Sequence, residues 1–317
     1  MTLVPYVEFG PRVASPGPFE SLGGTFETLV LEADAGKLDA LVELVLNQPV
    51  GDAIEYRALG RHVLLMVGGF ESVRSLAPGF SDWGTVREVQ ASFWVPVLAG
   101  HRRAGVFLGE RLALFVPFIW VDNPMSYFGG REEYGYPKGA GRFTPATGHG
   151  EHVVLRSYGG RFTHASRAAW HPLLELRDAG PADGARDFVE GAAGLVAAVT
   201  KGLIDEARTG QGMQLAGLTV GAQVVDAILH GHAWQVALKQ FRDTEDGTRA
   251  CYQAVVEARY EITRVKVRRS ARRRELVVHD MDSAPLAAEL GLRTQVATVA
   301  LEQELDFVLD VGEVIGP

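Results

Sequence analysis

The segment Arg87–Leu98, REVQASFWVPVL, alternates between two classes of side chain and predicts an extended strand. Its apolar residues at 89, 91, 93, 95 and 97 would share one face. Glu88, Gln90, Ser92 and Trp94 would share the opposite and more polar face. Such a strand requires a sheet with one face in an apolar core and another face that accepts polar groups.

Strand patterns dominate the remaining sequence. The apolar run ALFVPFIWVDNP, starting at Ala113, predicts a strand that is covered on both sides. Two strand-like runs flank Asp246-Gly247, a pair that is favoured in hairpin turns. A short amphipathic helix is predicted within residues 37–48, KLDALVELVLNQ. Because long helices do not alternate regularly with these strands, we expect an α+β fold of mostly antiparallel strands.

The sequence pattern changes in the region from about residue 183 to residue 234. Phe188, Leu195, Val199 and Leu203 recur there at helical spacing. We interpret the region as an inserted helical segment that forms contacts between the subunits of a homo-oligomer. The chain carries no fixed-period repeat and no low-complexity tract, and its 317 residues could form one large domain or two.

Composition excludes several classes of partner. The formal net charge of −8 argues against nucleic acid and anionic membranes, although a basic run spans Arg264 to Arg274. That run lacks interleaved aromatic residues and is interpreted as a solvated hairpin or loop. Cys251 is the only cysteine, which indicates a reducing compartment, and its strand-like surroundings predict a buried structural thiol.

Targeting and cofactor signals are also missing. The first residues lack a basic segment followed by an apolar one, and no apolar run approaches the roughly 18 residues of a membrane span, so we expect a cytoplasmic protein. The stretch GQGMQLAG lacks the third glycine of a dinucleotide fingerprint. The histidines have no metal-ligand spacing, and no GxSxG occurs. Neither a metal nor a cofactor is predicted.

The stretch GGREEYGYPKGAG, from Gly129 to Gly141, contains the most unusual residue of the chain. Lys138 is one of only five lysines and lies between proline and glycine. An amine is nucleophilic only when neutral, whereas an unperturbed lysine is almost fully protonated at pH 7. Tyr134, Tyr136 and Pro137 would provide an apolar wall that disfavours the ammonium form. A reactive lysine and an ordinary solvated loop lysine both fit the spacing.

The segment GREEYGYPK resembles the signature of the acetoacetate decarboxylase superfamily, in which a GRE…YPK segment carries a lysine that forms a Schiff base. REVQASFWVPV is similar to the upstream strand of that family, which carries a glutamate at the position of Glu88. LKQFRDTEDGTRACYQ resembles its downstream hairpin. DSAPLAAELGL and DFVLDVGEVI resemble its C-terminal segments, so the likeness covers most of the chain in the family's order.

The resemblance implies that residues 1–317 form a single domain built on a closed, mostly antiparallel β-barrel or cone with few helices. It further implies a buried lysine and an oligomeric state. It also implies that Lys138 attacks the ketone of a small oxo acid to form an iminium. Glu88 would be the acid/base or orienting group, and Arg131, Tyr136 and Glu302 would contact the substrate. An ion pair or surface position remains the alternative for Glu88 and Arg131, and a solvent-facing edge for Glu302.

Two features depart from the decarboxylase pattern. Gly139 stands where the family motif YPKK has a second, activating lysine, and the arginine expected near GGTFETLV is missing. Relatives that keep only the Schiff-base lysine act on pyruvate-like substrates, with a C-terminal glutamate such as Glu302 or Glu304 as acid/base. The resemblance as a whole implies a carbon–carbon lyase that decarboxylates a 3-oxo acid. Its alternatives are a pyruvate-type aldolase-dehydratase with the same lysine and a non-catalytic small-molecule-binding protein.

Overall fold

The computed structural model describes residues 5–8, 10–182 and 232–316. Most of the predicted helical segment, residues 183–231, lies outside this range, and residues 232–234 begin a strand. The helical stretches are α1 Ala35–Val42, a π-helical turn Glu43–Asn47, α2 Gln48–Val50, a 3₁₀ turn Ser81–Trp83, α3 Pro124–Glu133 and α4 Leu286–Glu289. The strands are β1 Phe19–Glu32, β2 Glu55–Ala58, β3 His62–Ser75, β4 Val86–Arg103, β5 Val106–Val121, β6 Lys138–Thr144, β7 His152–Gly159, β8 Ala169–Pro181, β9 His232–Arg242, β10 Ala250–Arg269, β11 Arg272–Val278, β12 Gln295–Val296, β13 Val299–Leu309 and β14 Glu313–Ile315.

Seven strands pair side by side in the order β4-β5-β9-β10-β13-β1-β3. Because the last strand, β3, also pairs with the first, β4, these strands form a closed ring. Within the ring only β5 and β9 run parallel, with Leu114 opposite Gln235. All other neighbours are antiparallel. The expected α+β architecture around a mostly antiparallel barrel or cone is therefore confirmed, and this ring leaves no open edge of its own.

A second layer of strands continues from the ring. β6 pairs in parallel with β5, placing Lys138 beside Ile119, and the sheet then runs through β7, β8 and β11 to β12. One apolar cluster fills the space between this layer, α1 and the outside of the ring. Another lies inside the ring and includes Phe26, Trp94 and Phe307. The inner cluster is the one that surrounds the candidate site.

The alternation in Arg87–Leu98 is confirmed by the two faces of β4. Its apolar face joins the outer cluster, whereas Glu88, Gln90 and Trp94 point into the ring and are also buried. The hairpin around Asp246-Gly247 is confirmed as the β9–β10 turn.

The prediction of a buried Cys251 is wrong, since this residue is exposed. It lies at the turn end of β10, beyond the core, because continuous burial of that strand begins only at Ala254. The basic run forms the end of β10 and the start of β11 and is ion-paired with acidic neighbours such as Glu304. Among the described helices none is long and apolar enough to cross a membrane.

Candidate active site

The site is built around the crossover from β5 through α3 to β6. The Asn123 side chain caps α3 by accepting hydrogen bonds from the backbone N–H groups of Met125 (2.8 Å) and Ser126 (3.3 Å). Pro124 occupies the first turn, where its missing N–H costs no helical hydrogen bond. After α3, Gly135 takes a φ of +76°, which reverses the chain and starts β6 at Lys138.

The Lys138 side chain enters the ring and is almost completely buried, with 7% of its surface exposed. Its Nζ lies 2.5 Å from Ser126 Oγ and 3.6 Å from Glu88 Oε2. Glu88 is equally buried, at 5%. An amine, a hydroxyl and a carboxylate therefore meet in a site shielded from bulk water, where polar interactions are stronger than at a surface.

Gly130 leaves the space through which the lysine reaches this position. A Cβ atom at residue 130 would lie 2.6 Å from Lys138 Cε and 2.9 Å from Nζ. The neighbouring Gly129 has no such constraint, since a Cβ atom there would be 4.0 Å from Ala14. Only the second glycine of this pair is thus required for the lysine conformation.

We expect Gly130→Ala to lower the reactivity of the Lys138 amine about 100-fold, because the added methyl group displaces its end. The fold should survive, since the flexible tip of one side chain is what must move. Gly129→Ala is the matched control and should react like the wild type. The measurement is the rate of borohydride-trapped adduct formation at Lys138 with a small carbonyl compound, alongside thermal unfolding. Equal rates in the two variants would contradict the assigned role of Gly130.

A cavity of about 280 Å³ opens beside the Lys138 amine. Its polar lining includes Glu88, Ser126, Tyr136 and Tyr260. Burial raises the pKa of the Tyr136 and Tyr260 phenols, and the charge of Glu88 adds to the effect. Both phenols therefore stay protonated at neutral pH and can donate hydrogen bonds to a bound molecule.

Gly139 packs directly under the Trp120 indole. A Cβ atom at residue 139 would lie 2.9 Å from the Trp120 ring, and the indole N–H is fixed by a 3.0 Å hydrogen bond to Ser157 Oγ. Trp120 is buried and stacks on Phe118. A longer side chain at residue 139 would therefore have to displace a well-anchored ring, which explains physically why glycine follows Lys138.

Residues 79–190, a range that contains Glu88 and Lys138, match the family model of acetoacetate decarboxylase (ADC). The fold agrees with this match over nearly the whole chain, since the structure of acetoacetate decarboxylase from Legionella pneumophila superposes with a TM-score of 0.55. This chain therefore resembles acetoacetate decarboxylase in the sequence of residues 79–190 and in its fold. Among proteins of curated function, none matches the sequence.

The structural likeness to solved proteins extends over most of the chain despite low sequence identity. The Legionella enzyme shares 13% identity, with 98% of this chain and 92% of that chain covered. An acetoacetate decarboxylase-like enzyme from Sphingomonas wittichii RW1 shares 14%, with a TM-score of 0.56 and coverage of 96% and 95%. The enduracididine biosynthesis enzyme MppR, in its complex with pyruvate, shares 11%, with a TM-score of 0.52 and coverage of 95% and 91%. At these identities the comparison concerns the fold alone.

Three of the five residues singled out from the sequence line the cavity, and these are Lys138, Glu88 and Tyr136. Arg131 lies behind the lysine, where its guanidinium donates to the Lys138 backbone carbonyl at 3.0 Å. It thus holds the first peptide of β6 in place instead of lining the cavity.

Glu302 lies away from the lysine, in a separate groove between the ring and the second strand layer. Its carboxylate pairs with Arg268 at 2.5 Å and accepts a hydrogen bond from Ser270 Oγ at 3.2 Å. Glu304 lines the same groove and pairs with Arg264 and Lys266. The structure therefore does not bring either glutamate to the Lys138 amine.

Sequence reasoning missed Ser126, Gly130 as a packing requirement, and Tyr260. Ser126 and Gly130 lie four residues apart and hence on one face of α3, which is the face that the lysine crosses. This i, i+4 relation is a signal that the sequence does contain. Tyr260 carried no comparable signal, because it reaches the site through the register of β10.

Proposed function

We propose that the protein is a carbon–carbon lyase that forms a Schiff base between Lys138 and the ketone of an oxo acid. One observation carries this proposal, namely the buried Lys138 amine that faces a cavity between Glu88 and Ser126. The match of residues 79–190 to the acetoacetate decarboxylase family model and the fold likeness to the Legionella protein support it.

The chemistry begins when the Nζ lone pair adds to the ketone carbon and the resulting carbinolamine takes up a proton and loses water, which leaves an iminium. In a 3-oxo acid the bond between the α-carbon and the carboxylate then breaks. Its electron pair moves into the iminium to give an enamine, and CO₂ departs. Protonation of the enamine carbon and hydrolysis of the iminium release the ketone and the free amine.

Glu88 is the group best placed to move protons in these steps. Its carboxylate is 3.6 Å from Nζ, close enough to serve atoms bonded to the nitrogen directly or through one water. The Ser126 hydroxyl contacts Nζ and orients the amine. The Tyr136 and Tyr260 phenols, kept protonated by burial that raises the pKa of each, are available to stabilise a developing oxyanion.

The packing of Gly139 favours a second candidate, aldol and dehydration chemistry with a pyruvate-type substrate. A second lysine beside Lys138 would assist amine activation by charge, but Trp120 occupies the space next to residue 139. The fold likeness to MppR, a protein captured with pyruvate, adds support for the same iminium serving an aldolase-dehydratase.

Borohydride reduction in the presence of acetoacetate or pyruvate, followed by peptide mass mapping, tests the proposal. We expect an irreversible mass increase on the peptide containing Lys138 with at least one of the two compounds. Release of CO₂ from acetoacetate would favour decarboxylation, whereas consumption of pyruvate with an aldehyde would favour the second candidate. If neither compound labels Lys138 but a ligand still stabilises a Lys138→Ala variant, the protein is a binding protein.

A further inference from the structure

The cavity has an open end and a closed end. Arg74, Trp83 and Thr85 line its exposed rim, whereas Trp94, Val116 and Phe307 at the other end are at most 9% exposed. We call the part lined by Gln90, Trp94, Val116, Tyr260 and Phe307 the deep chamber.

The Lys138–Glu88 pair lies between these two ends. Along β4 the lining residues follow in the order Val86, Glu88, Gln90 and Trp94, so Trp94 is about 20 Å of strand beyond Glu88. On β5, Lys138 is paired with Ile119, and Val116 lies three residues further into the ring. A molecule bound to the amine can thus extend into the rim on one side and the deep chamber on the other.

Three of the five residues that line the deep chamber are aromatic, and Gln90 contributes a polar amide. Tyr260 and Phe307 meet edge-to-face with ring centroids 4.6 Å apart, and Trp94 lies 6.2 Å from Tyr260. Phe307 in turn contacts Phe70 at 5.2 Å. Such walls favour an apolar or aromatic group, which gains from leaving water and from edge-to-face contacts.

The distribution of charge also distinguishes the two ends of the cavity. Among the described lining residues the cationic ones are Lys138 and Arg74. Arg74 lies at the rim, where it pairs with Glu20 at 2.7 Å. None of the described residues that line the deep chamber is a cation that could balance a carboxylate, and a carboxylate buried without one is strongly disfavoured.

We propose that the substrate is an oxo acid whose ketone carbon carries a bulky apolar, preferably aromatic, group. This group occupies the deep chamber, while the carboxylate points toward Arg74 at the rim. The inference rests on the proposed Schiff base at Lys138 and assigns the chemical class of its substrate.

Two matched pairs of probes test this assignment on the wild-type protein. Acetoacetate is compared with 3-oxo-4-phenylbutanoate, and pyruvate with phenylpyruvate, by borohydride trapping at increasing concentration. In at least one pair, the benzyl-bearing compound should reach half-maximal labelling of Lys138 at a concentration at least about tenfold lower than the methyl-bearing compound does, as burial of a phenyl ring predicts. Equal or better labelling by the methyl-bearing members of both pairs would overturn the assignment. Labelling by neither member of either pair would instead overturn the proposed function itself.

Val116→Phe places a ring in the deep chamber and supplies a second measurement. It should raise the half-maximal concentration of the benzyl compounds about tenfold and leave that of the methyl compounds within about threefold. Val314→Phe, at an exposed valine of β14, is the matched control. A uniform change for all compounds would contradict a specificity role for the chamber. Thermal unfolding identifies a variant that fails to fold, and in that case the comparison of compounds on the wild-type protein decides.

Discussion

Lys138→Ala is expected to lower turnover of an oxo acid at least about 1,000-fold and to abolish borohydride labelling completely. The nitrogen that forms the covalent bond is removed, and the buried Glu88 carboxylate cannot replace it. Turnover and labelling are measured in parallel at saturating substrate.

Lys266→Ala is the matched control for this experiment. Lys266 is exposed, lies in the separate groove and pairs with Glu304, so its loss should leave both readouts unchanged. Labelling that persists on another peptide of the Lys138→Ala protein would contradict the assignment of the nucleophile.

Glu88→Gln is expected to lower turnover about 100-fold or more while keeping the volume of the side chain. An amide can still form hydrogen bonds beside Nζ, but it cannot accept and return a proton. Labelling at Lys138 should persist at long incubation, because the amine remains in place. The pH dependence of kcat/KM should also lose one ionisation, which a purely structural contact would not remove.

Glu261→Gln tests whether any carboxylate of the ring would give the same result. Glu261 neighbours Tyr260 on β10 but is exposed, so wild-type rates are expected. A Glu88→Gln protein with full activity and an unchanged pH profile would exclude Glu88 as the proton-transfer group.

The local architecture was largely predictable from sequence, since the period-two pattern of β4 assigns each side chain to its face. What the pattern could not provide is the closure of the ring. Closure depends on the parallel pairing of β5 with β9, residues that lie more than one hundred positions apart in the sequence. No local preference encodes such a long-range contact.

The same distinction between local pattern and long-range pairing explains which site residues could be predicted. Lys138 and Glu88 were identified through motifs, and the strand face of Glu88 agrees with its position in the cavity. Glu302 was expected near the substrate because the resemblance implied a C-terminal glutamate there, but β13 turns Leu305, Phe307 and other odd-numbered residues toward the interior. Its even-numbered glutamates thus lie opposite Lys266 and Arg268 of β10. A register fixed by pairing, which single-strand periodicity does not determine, decides this outcome.

The crossover from β5 to β6 has a consequence for how such a protein diversifies. Ser126, Gly130 and Lys138 all lie within one short continuous segment, whereas the walls of the deep chamber come from β4, β5, β10 and β13. Mutations in those strands can reshape the accepted substituent without altering the segment that carries the amine. Selection can therefore act on substrate choice and on bond-making chemistry as two nearly independent traits.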